Sequence, residues 1–159
     1  MQARDFAAPD KERVLATIDR WIPEEGPLLP ILHEVQEDLG FIPDEALVII
    51  ADKLNLSRAE VHGVMSFYHD FRKEPAGRHV LKLCRSEACQ SMGADGLIDA
   101  ARRLLGIDFH ETTADGAVTL EPVYCLGLCS CAPAAMMDGD VHARLDAERL
   151  ATLIGEARP

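Results

Sequence analysis

The distribution of cysteine along the chain constrains its fold more than any other sequence feature. All five cysteines lie after residue 83, and three of them fall within seven residues of the segment PVYCLGLCSCAPAAM, residues 122–136. The other two stand in KLCRSEACQ. The first half, which has no cysteine, and the second half, which has all five, therefore need separate interpretations.

Structural disulfides explain these cysteines poorly. The segment MQARDFAAPDKER lacks the apolar run of a secretory signal, and no stretch has the roughly 18 consecutive apolar residues of a membrane span. We therefore expect a cytoplasmic protein without a membrane span, in a compartment that keeps thiols reduced. An odd number of cysteines also fits a disulfide framework badly. The net charge of −11, without a basic patch, argues against a nucleic-acid partner.

The first half predicts a small helical bundle over residues 1–75. Apolar residues recur at helical spacing in four segments, PDKERVLATIDRW, PLLPILHEVQEDLG, PDEALVIIADKLN and SRAEVHGVMSFYHDF. Gly40 is expected to end the second helix, and Ser57 with Glu60 to form a capping box at the start of the fourth. The fourth segment also holds aromatic and histidine side chains that we interpret as core or interface residues, with Tyr68 in the buried stripe: His62, Phe67, Tyr68 and His69.

The second half, residues 76–159, predicts helices packed on a mixed sheet. KEPAGRH separates the halves, and a strand HVLKLC then ends at Cys84. A helix, MGADGLIDAARRLLG, follows, with Leu104 among the residues expected to face inward, and then come an extended FHETTA and a strand GAVTLEPVYC. A hairpin around Asp138 and Gly139 and a closing helix with Asp146 as its N-cap complete the order. This order is typical of a small α/β or α+β layer.

Four of the cysteines are placed to form a metal site. Cys84 and Cys125 each stand where a predicted strand runs into a loop, so their thiols meet if the two strands are neighbours. Cys89 is expected in the loop before a helix, and Cys129 follows Cys125 in CLGLC, where Gly127 allows a tight turn.

The spacing favours an iron–sulfur cluster and leaves zinc open. Structural zinc sites pair ligands with two to four intervening residues, and usually with two, so loops of four and three residues are wide for a single tetrahedral ion. A C-x4-C pair also occurs in plant-type [2Fe–2S] ferredoxins, where each loop can serve one iron. A thioredoxin-type dithiol is disfavoured because there is no C-x-x-C, and a single nucleophilic cysteine would leave the other three unexplained. We interpret Cys131 as a buried non-ligand. Arg85, beside Cys84, is either a residue that tunes the cluster by its charge or a solvated surface arginine.

The combined pattern resembles the 24-kDa subunit family of NADH:quinone oxidoreductase. The resemblance rests on PLLPILHEVQEDLGFIPDEAL, LNLSRAEVHGVMSFYHDF, the C-x4-C pair and YCLGLC, and it spans residues 12–157. It implies an α+β protein, with an N-terminal helical bundle followed by a thioredoxin-like ferredoxin domain that carries one [2Fe–2S] cluster. Within this family, CRSEACQSMGA and HETTADGAVTLEPVYCLGLC are most similar to the gamma subunit of cytoplasmic, molybdenum-containing, NAD-dependent formate dehydrogenases. The family's cluster ligands carry over onto Cys84, Cys89, Cys125 and Cys129.

The resemblance also implies a role inside a larger oxidoreductase. The chain would transfer electrons beside a flavin- and NAD-binding subunit and, through it, serve a molybdenum iron–sulfur subunit that oxidises formate to CO2. The equivalent subunit of NADH:quinone oxidoreductase or of a bidirectional NAD-linked hydrogenase is the alternative, and a zinc-stabilised interaction module is a distant one. No catalytic residue is expected in this chain, which has no G-x-G-x-x-G and no P-loop. FMN, NAD and molybdopterin are therefore expected only in partner subunits.

Overall fold

The computed structural model describes residues 6–158. Residues 1–5, which belong to the predicted helical half, and Pro159 lie outside the described residues. The chain divides into two compact units between Pro75 and Ala76.

The first unit is a bundle of four helices: α1 Ala8–Trp21, α2 Leu28–Leu39, α3 Asp44–Leu54 and α4 Arg58–Phe67. The predicted capping box begins α4, because the Ser57 N–H donates to the Glu60 carboxylate at 2.8 Å and the Glu60 N–H donates to Ser57 Oγ at 3.2 Å. Gly40 follows α2 at a φ of +83°, which confirms its predicted role as the end of that helix. The core between the helices is aliphatic, and its fully buried side chains include Val14, Ile18, Ile31, Leu32, Val35, Ile50 and Val61.

The end of α4 differs from the prediction. The helix stops at Phe67, and Tyr68 has an extended backbone and is 42% exposed, so its predicted place in the buried stripe is wrong. Gln36 of α2 explains the early stop. Its side chain donates to the Asp70 carbonyl at 2.8 Å and accepts from the Arg72 N–H at 2.7 Å, so it binds backbone groups that a longer helix would have used.

The second unit is a five-stranded mixed sheet with three helices, and this architecture confirms the predicted fold class. The strand order is β2-β3-β1-β4-β5, in which β1 and β3 are parallel and the other neighbours are antiparallel. The elements are β1 His79–Cys84, α5 Glu87–Ser91, α6 Ala94–Leu105, β2 Glu111–Thr112, β3 Val118–Val123, β4 Ala135–Met137, β5 Asp140–His142 and α7 Ala147–Ala157.

Helices α6 and α7 supply the apolar residues that pack with the sheet. The core includes Leu81 and Leu120 from the strands, and Ile98, Ala101, Leu105, Leu150 and Ile154 from the helices. Leu104 is 47% exposed, so its predicted inward position is wrong, and the neighbouring Leu105 faces the core instead. Asp146 caps α7 as predicted, with its carboxylate 2.8 Å from the Arg149 N–H. Within residues 6–158, no helix combines the length and the apolar character needed to cross a membrane.

Candidate metal centre

The parallel pairing of β1 and β3 brings the two cysteine loops to one edge of the sheet. Cys84, the last residue of β1, is in register with Val123, the last residue of β3. The Arg85 N–H donates to the Val123 carbonyl at 2.8 Å, which extends the pairing one residue past the cysteine. Because parallel strands end at the same edge, the segments that carry Cys89 and Cys125 leave the sheet side by side. The condition for the four thiols to meet, that the two strands are neighbours, is therefore met.

Cys84 and Cys89 form the buried half of the site, each with 2% of its surface exposed. Cys89 lies inside the short helix α5, not in a loop before a helix, so that detail of the prediction is wrong. The single turn of α5, which Ser86 precedes, folds Cys89 back towards Cys84, and the two side chains are hydrogen bonded.

The pKa values of this buried pair shift in opposite directions. Burial raises the pKa of the Cys89 thiol, and its hydrogen bond with Cys84 raises it further. Burial also acts to raise the pKa of Cys84. The Ser86 N–H, the Cys89 thiol and the Cys125 N–H, however, all hydrogen bond to the Cys84 sulfur and together hold its pKa below the ordinary value. Amide donors that favour a thiolate also favour its binding to a metal.

Cys125 and Cys129 form the exposed half of the site. Their sulfur atoms lie 3.6 Å apart, and the Gly127 N–H points at the Cys125 sulfur from 3.4 Å. Both Cys125 and Gly127 have positive φ angles, +90° and +78°, so the loop turns as tightly as the sequence predicts. The hydrogen bond and the charge of Cys125 raise the pKa of the Cys129 thiol.

The two pairs face each other at this edge. The Cys125 N–H bonds to the Cys84 sulfur, and the charges of Cys84 and Cys89 both interact with Cys129. All four thiols are free. A binuclear cluster takes two thiolates on each iron, and this arrangement of two pairs fits such a cluster. In the part of the chain that the structure describes, no group of three or more histidine, cysteine, aspartate or glutamate side chains is arranged to hold a single metal ion.

The backbone of Ala134 hydrogen bonds to both buried cysteines, a contact that the spacing of the cysteines does not predict. Its carbonyl accepts from the Cys84 N–H at 3.1 Å, and its own N–H bonds to the Cys89 sulfur. Small residues pack around the buried cysteines, namely Ala94, Ala132 and Ala134. The run of small residues in CAPAA is the sequence signal that could have predicted this packing, because a larger side chain at these positions would compete with the cysteines for space.

Cys131 is partly buried, and its sulfur lies 3.8 Å from the Ser130 hydroxyl. It shares a single 3-10 turn with Cys129, and its carbonyl accepts from the Arg144 N–H at 2.7 Å. Its role as a non-ligand stays a prediction.

A mixed sheet with two cysteine pairs near the ends of its parallel strands is an arrangement that fits the class of small iron–sulfur proteins. The model of the thioredoxin-like [2Fe-2S] ferredoxin family matches residues 14–158, and the chain belongs to this family. Its cofactor is accordingly one [2Fe–2S] cluster.

The chain is also similar to proteins of known assemblies. It is 38% identical over 123 residues to a subunit of the NADH-quinone oxidoreductase of Pseudomonas aeruginosa, covering 77% of this chain and 74% of that one. It is 34% identical over 153 residues to a subunit of the NADH-quinone oxidoreductase of Escherichia coli K12, covering 96% and 92%. Among solved structures, the air-oxidized NAD+-reducing [NiFe]-hydrogenase superposes with a TM-score of 0.70 at 28% identity over 82% of this chain. The chain spans only 22% of that hydrogenase chain.

Proposed function

We propose that Cys84, Cys89, Cys125 and Cys129 hold the cluster and that the chain serves as a one-electron carrier in an NAD-linked oxidoreductase complex. The observation that carries the proposal is the parallel register of β1 and β3, which places both cysteine pairs at one sheet edge. The bound cluster supplies the capacity to take up and release a single electron. The chain supplies the ligands and the environment that sets the reduction potential.

The two halves of the site have different tasks in this proposal. Cys84 and Cys89 are buried among small apolar residues, which keep water away from one side of the centre. Cys125 and Cys129 are exposed, so the electron would enter and leave on their side, where a partner subunit can approach. We expect that partner to bind the flavin and NAD, as the resemblance to the 24-kDa subunit family implies.

For the parent complex, the relatives favour a role as the 24-kDa-type subunit of an NADH:quinone oxidoreductase or of an NAD-linked hydrogenase. The similarity to the Escherichia coli NADH-quinone oxidoreductase subunit extends over nearly the whole length of both chains. As a member of such a complex, the chain would work in the cytoplasm, where reduced thiols are stable.

The second candidate is an NAD-dependent formate dehydrogenase with a molybdenum catalytic subunit. The segments CRSEACQSMGA and HETTADGAVTLEPVYCLGLC favour it, since both surround the proposed ligands and resemble the gamma subunit of those enzymes. The similarity to the NADH-quinone oxidoreductase subunits and to the hydrogenase supports the first candidate better than this one.

Metal analysis tests the cofactor and its ligands. Anaerobically purified protein should be red-brown and contain about two irons and two acid-labile sulfides per chain. Colourless protein with one zinc and no sulfide would reject the electron-carrier role and support a zinc-stabilised module.

Purification of the native complex tests the parent assembly. The tagged chain, isolated from its own organism under mild conditions, should bring down a flavin-binding subunit. Co-purifying quinone-module or nickel–iron subunits would establish the first candidate, and a molybdopterin subunit would establish formate dehydrogenase.

A further inference from the structure

Arg85 follows Cys84 directly, and its side chain is packed against the protein. The residue is half-buried, and its Nε atom is buried without a hydrogen-bond partner in the described part of the protein. Its backbone is fixed by the bond from its N–H to the Val123 carbonyl. The side chain of Arg85 is therefore only partly solvated.

The ring of Phe109 holds the Arg85 guanidinium. The ζ carbon of Arg85 lies 5.3 Å from the ring centroid, within the range of a cation–π contact. Arg102 lies over the same ring at 5.1 Å, so two cations share one aromatic side chain.

Only one of these two cations is neutralised by a carboxylate. Arg102 bonds to Asp108 through two nitrogens, at 2.8 and 2.7 Å. Among the described residues, Arg85 has no carboxylate within ion-pair distance. The charge of Arg85 acts on the Asp108 carboxylate. It contributes to lowering the pKa of Asp108, after the larger effects of the Phe109 N–H and Arg102. Arg85 thus forms no ion pair of its own among the described residues, although its charge acts on the Asp108 carboxylate.

This charge is permanent, and it is carried by the residue that directly follows a proposed cluster ligand. A guanidinium stays protonated at any physiological pH. Consecutive Cα atoms are only about 3.8 Å apart, so Arg85 begins next to a proposed cluster ligand. The protein around the half-buried side chain screens its charge less than bulk water would.

We propose that Arg85 raises the reduction potential of the [2Fe–2S] cluster and that Phe109 is the positioning residue that keeps its charge in place. The inference rests on the proposed function. Reduction adds one electron to the cluster and makes it more negative, and a nearby cation stabilises the more negative state. Arg85 neither gains nor loses a proton or an electron in this step.

A redox titration of the full-length, cluster-loaded protein tests the inference. The midpoint potential is measured with dithionite as reductant and mediators, and it is followed by EPR of the reduced cluster. Arg85→Gln removes the charge and should move the midpoint to a more negative value. At the wild-type midpoint, the ratio of reduced to oxidised cluster should then fall several-fold. Phe109→Leu keeps the charge but frees the guanidinium, and it should give a smaller shift in the same direction.

Two further variants separate charge from packing. Arg85→Lys keeps the positive charge and should stay closer to the wild type than Arg85→Gln. Arg103→Gln removes an exposed charge from α6 and should leave the midpoint unchanged. Iron content and circular dichroism check that each variant is folded and loaded.

Each outcome decides for or against the inference. Equal midpoints for the wild type and Arg85→Gln would overturn it, as would equal shifts for Arg85→Lys and Arg85→Gln. Should Arg85→Gln fail to hold a cluster, the shift in Phe109→Leu decides, and its absence overturns the inference. A wild-type protein without any cluster would instead defeat the proposed function, so the two failures are distinguishable.

Discussion

The sulfur atoms of Cys125 and Cys129 lie 3.6 Å apart on the exposed side of the site, whereas the other pair is buried. In the cluster-free protein, we expect iodoacetamide to modify Cys125 and Cys129 well before Cys84 and Cys89. The low pKa of Cys84 favours its reaction, but the reagent has to reach the sulfur first. Peptide mass spectrometry over a time course measures the order. Modification of Cys84 first would contradict the burial of the pair formed by Cys84 and Cys89. Denatured protein, in which all five cysteines should react, is the control.

Gly127→Ala tests the turn between the exposed cysteines. A Cβ at this position meets no atom within 4 Å, so the cost comes from the φ of +78° and should be about 1 kcal/mol. We expect a shorter lifetime of the bound cluster, measured by the loss of its visible absorbance in the presence of a chelator. Gly96→Ala is the matched control, since Gly96 lies in α6 with equal space and without a positive φ. A cluster lifetime equal to that of the control would contradict the proposed role of the turn.

Ser57→Ala tests the capping box of α4. The variant loses the acceptor of the Glu60 N–H, and the free energy of unfolding of the helical unit should fall by about 1 kcal/mol. Fluorescence of Trp21, the single tryptophan, follows the unfolding of this unit in urea. Ser66→Ala is the control, because Ser66 lies inside α4 and alanine favours a helix interior. An equal loss in both variants would argue against capping.

Asp115 provides a pH-dependent contribution to stability. The hydroxyl of Thr113, the Ala117 N–H and the Arg158 guanidinium donate to its carboxylate and hold its pKa well below the usual range. A lowered pKa in the folded state stabilises the protein above the unfolded pKa of about 3.9, and this stability is lost as the pH falls further. We therefore expect Asp115→Asn to lower the urea midpoint at pH 7 and to approach the wild type at acidic pH. A difference that does not change with pH would contradict this account.

The sequence predicted features that depend on local chemistry. The cap at Ser57, the glycine at position 40 and the strand that ends at Cys84 all follow from neighbouring residues or from alternating patterns. A helical or alternating pattern carries enough information to place such elements and the residues that end them.

The incorrect details depend on contacts between distant residues. The helical pattern does not show that Gln36 binds the backbone after Tyr68 and that α4 stops there. The short helix around Cys89 is too brief to produce a periodic signal. The ring of Phe109 beneath Arg85 comes from a segment with no sequence link to the cysteines. These contacts set the environment of the site and become visible only in the folded chain.

EPR of the reduced protein with single cysteine variants tests the central claim most directly. We expect the signal of the dithionite-reduced cluster to be lost or altered in each serine variant of Cys84, Cys89, Cys125 and Cys129, and to be unchanged in Cys131→Ser. A wild-type signal in any of the first four variants, or its loss in Cys131→Ser, would contradict the assignment of the ligands.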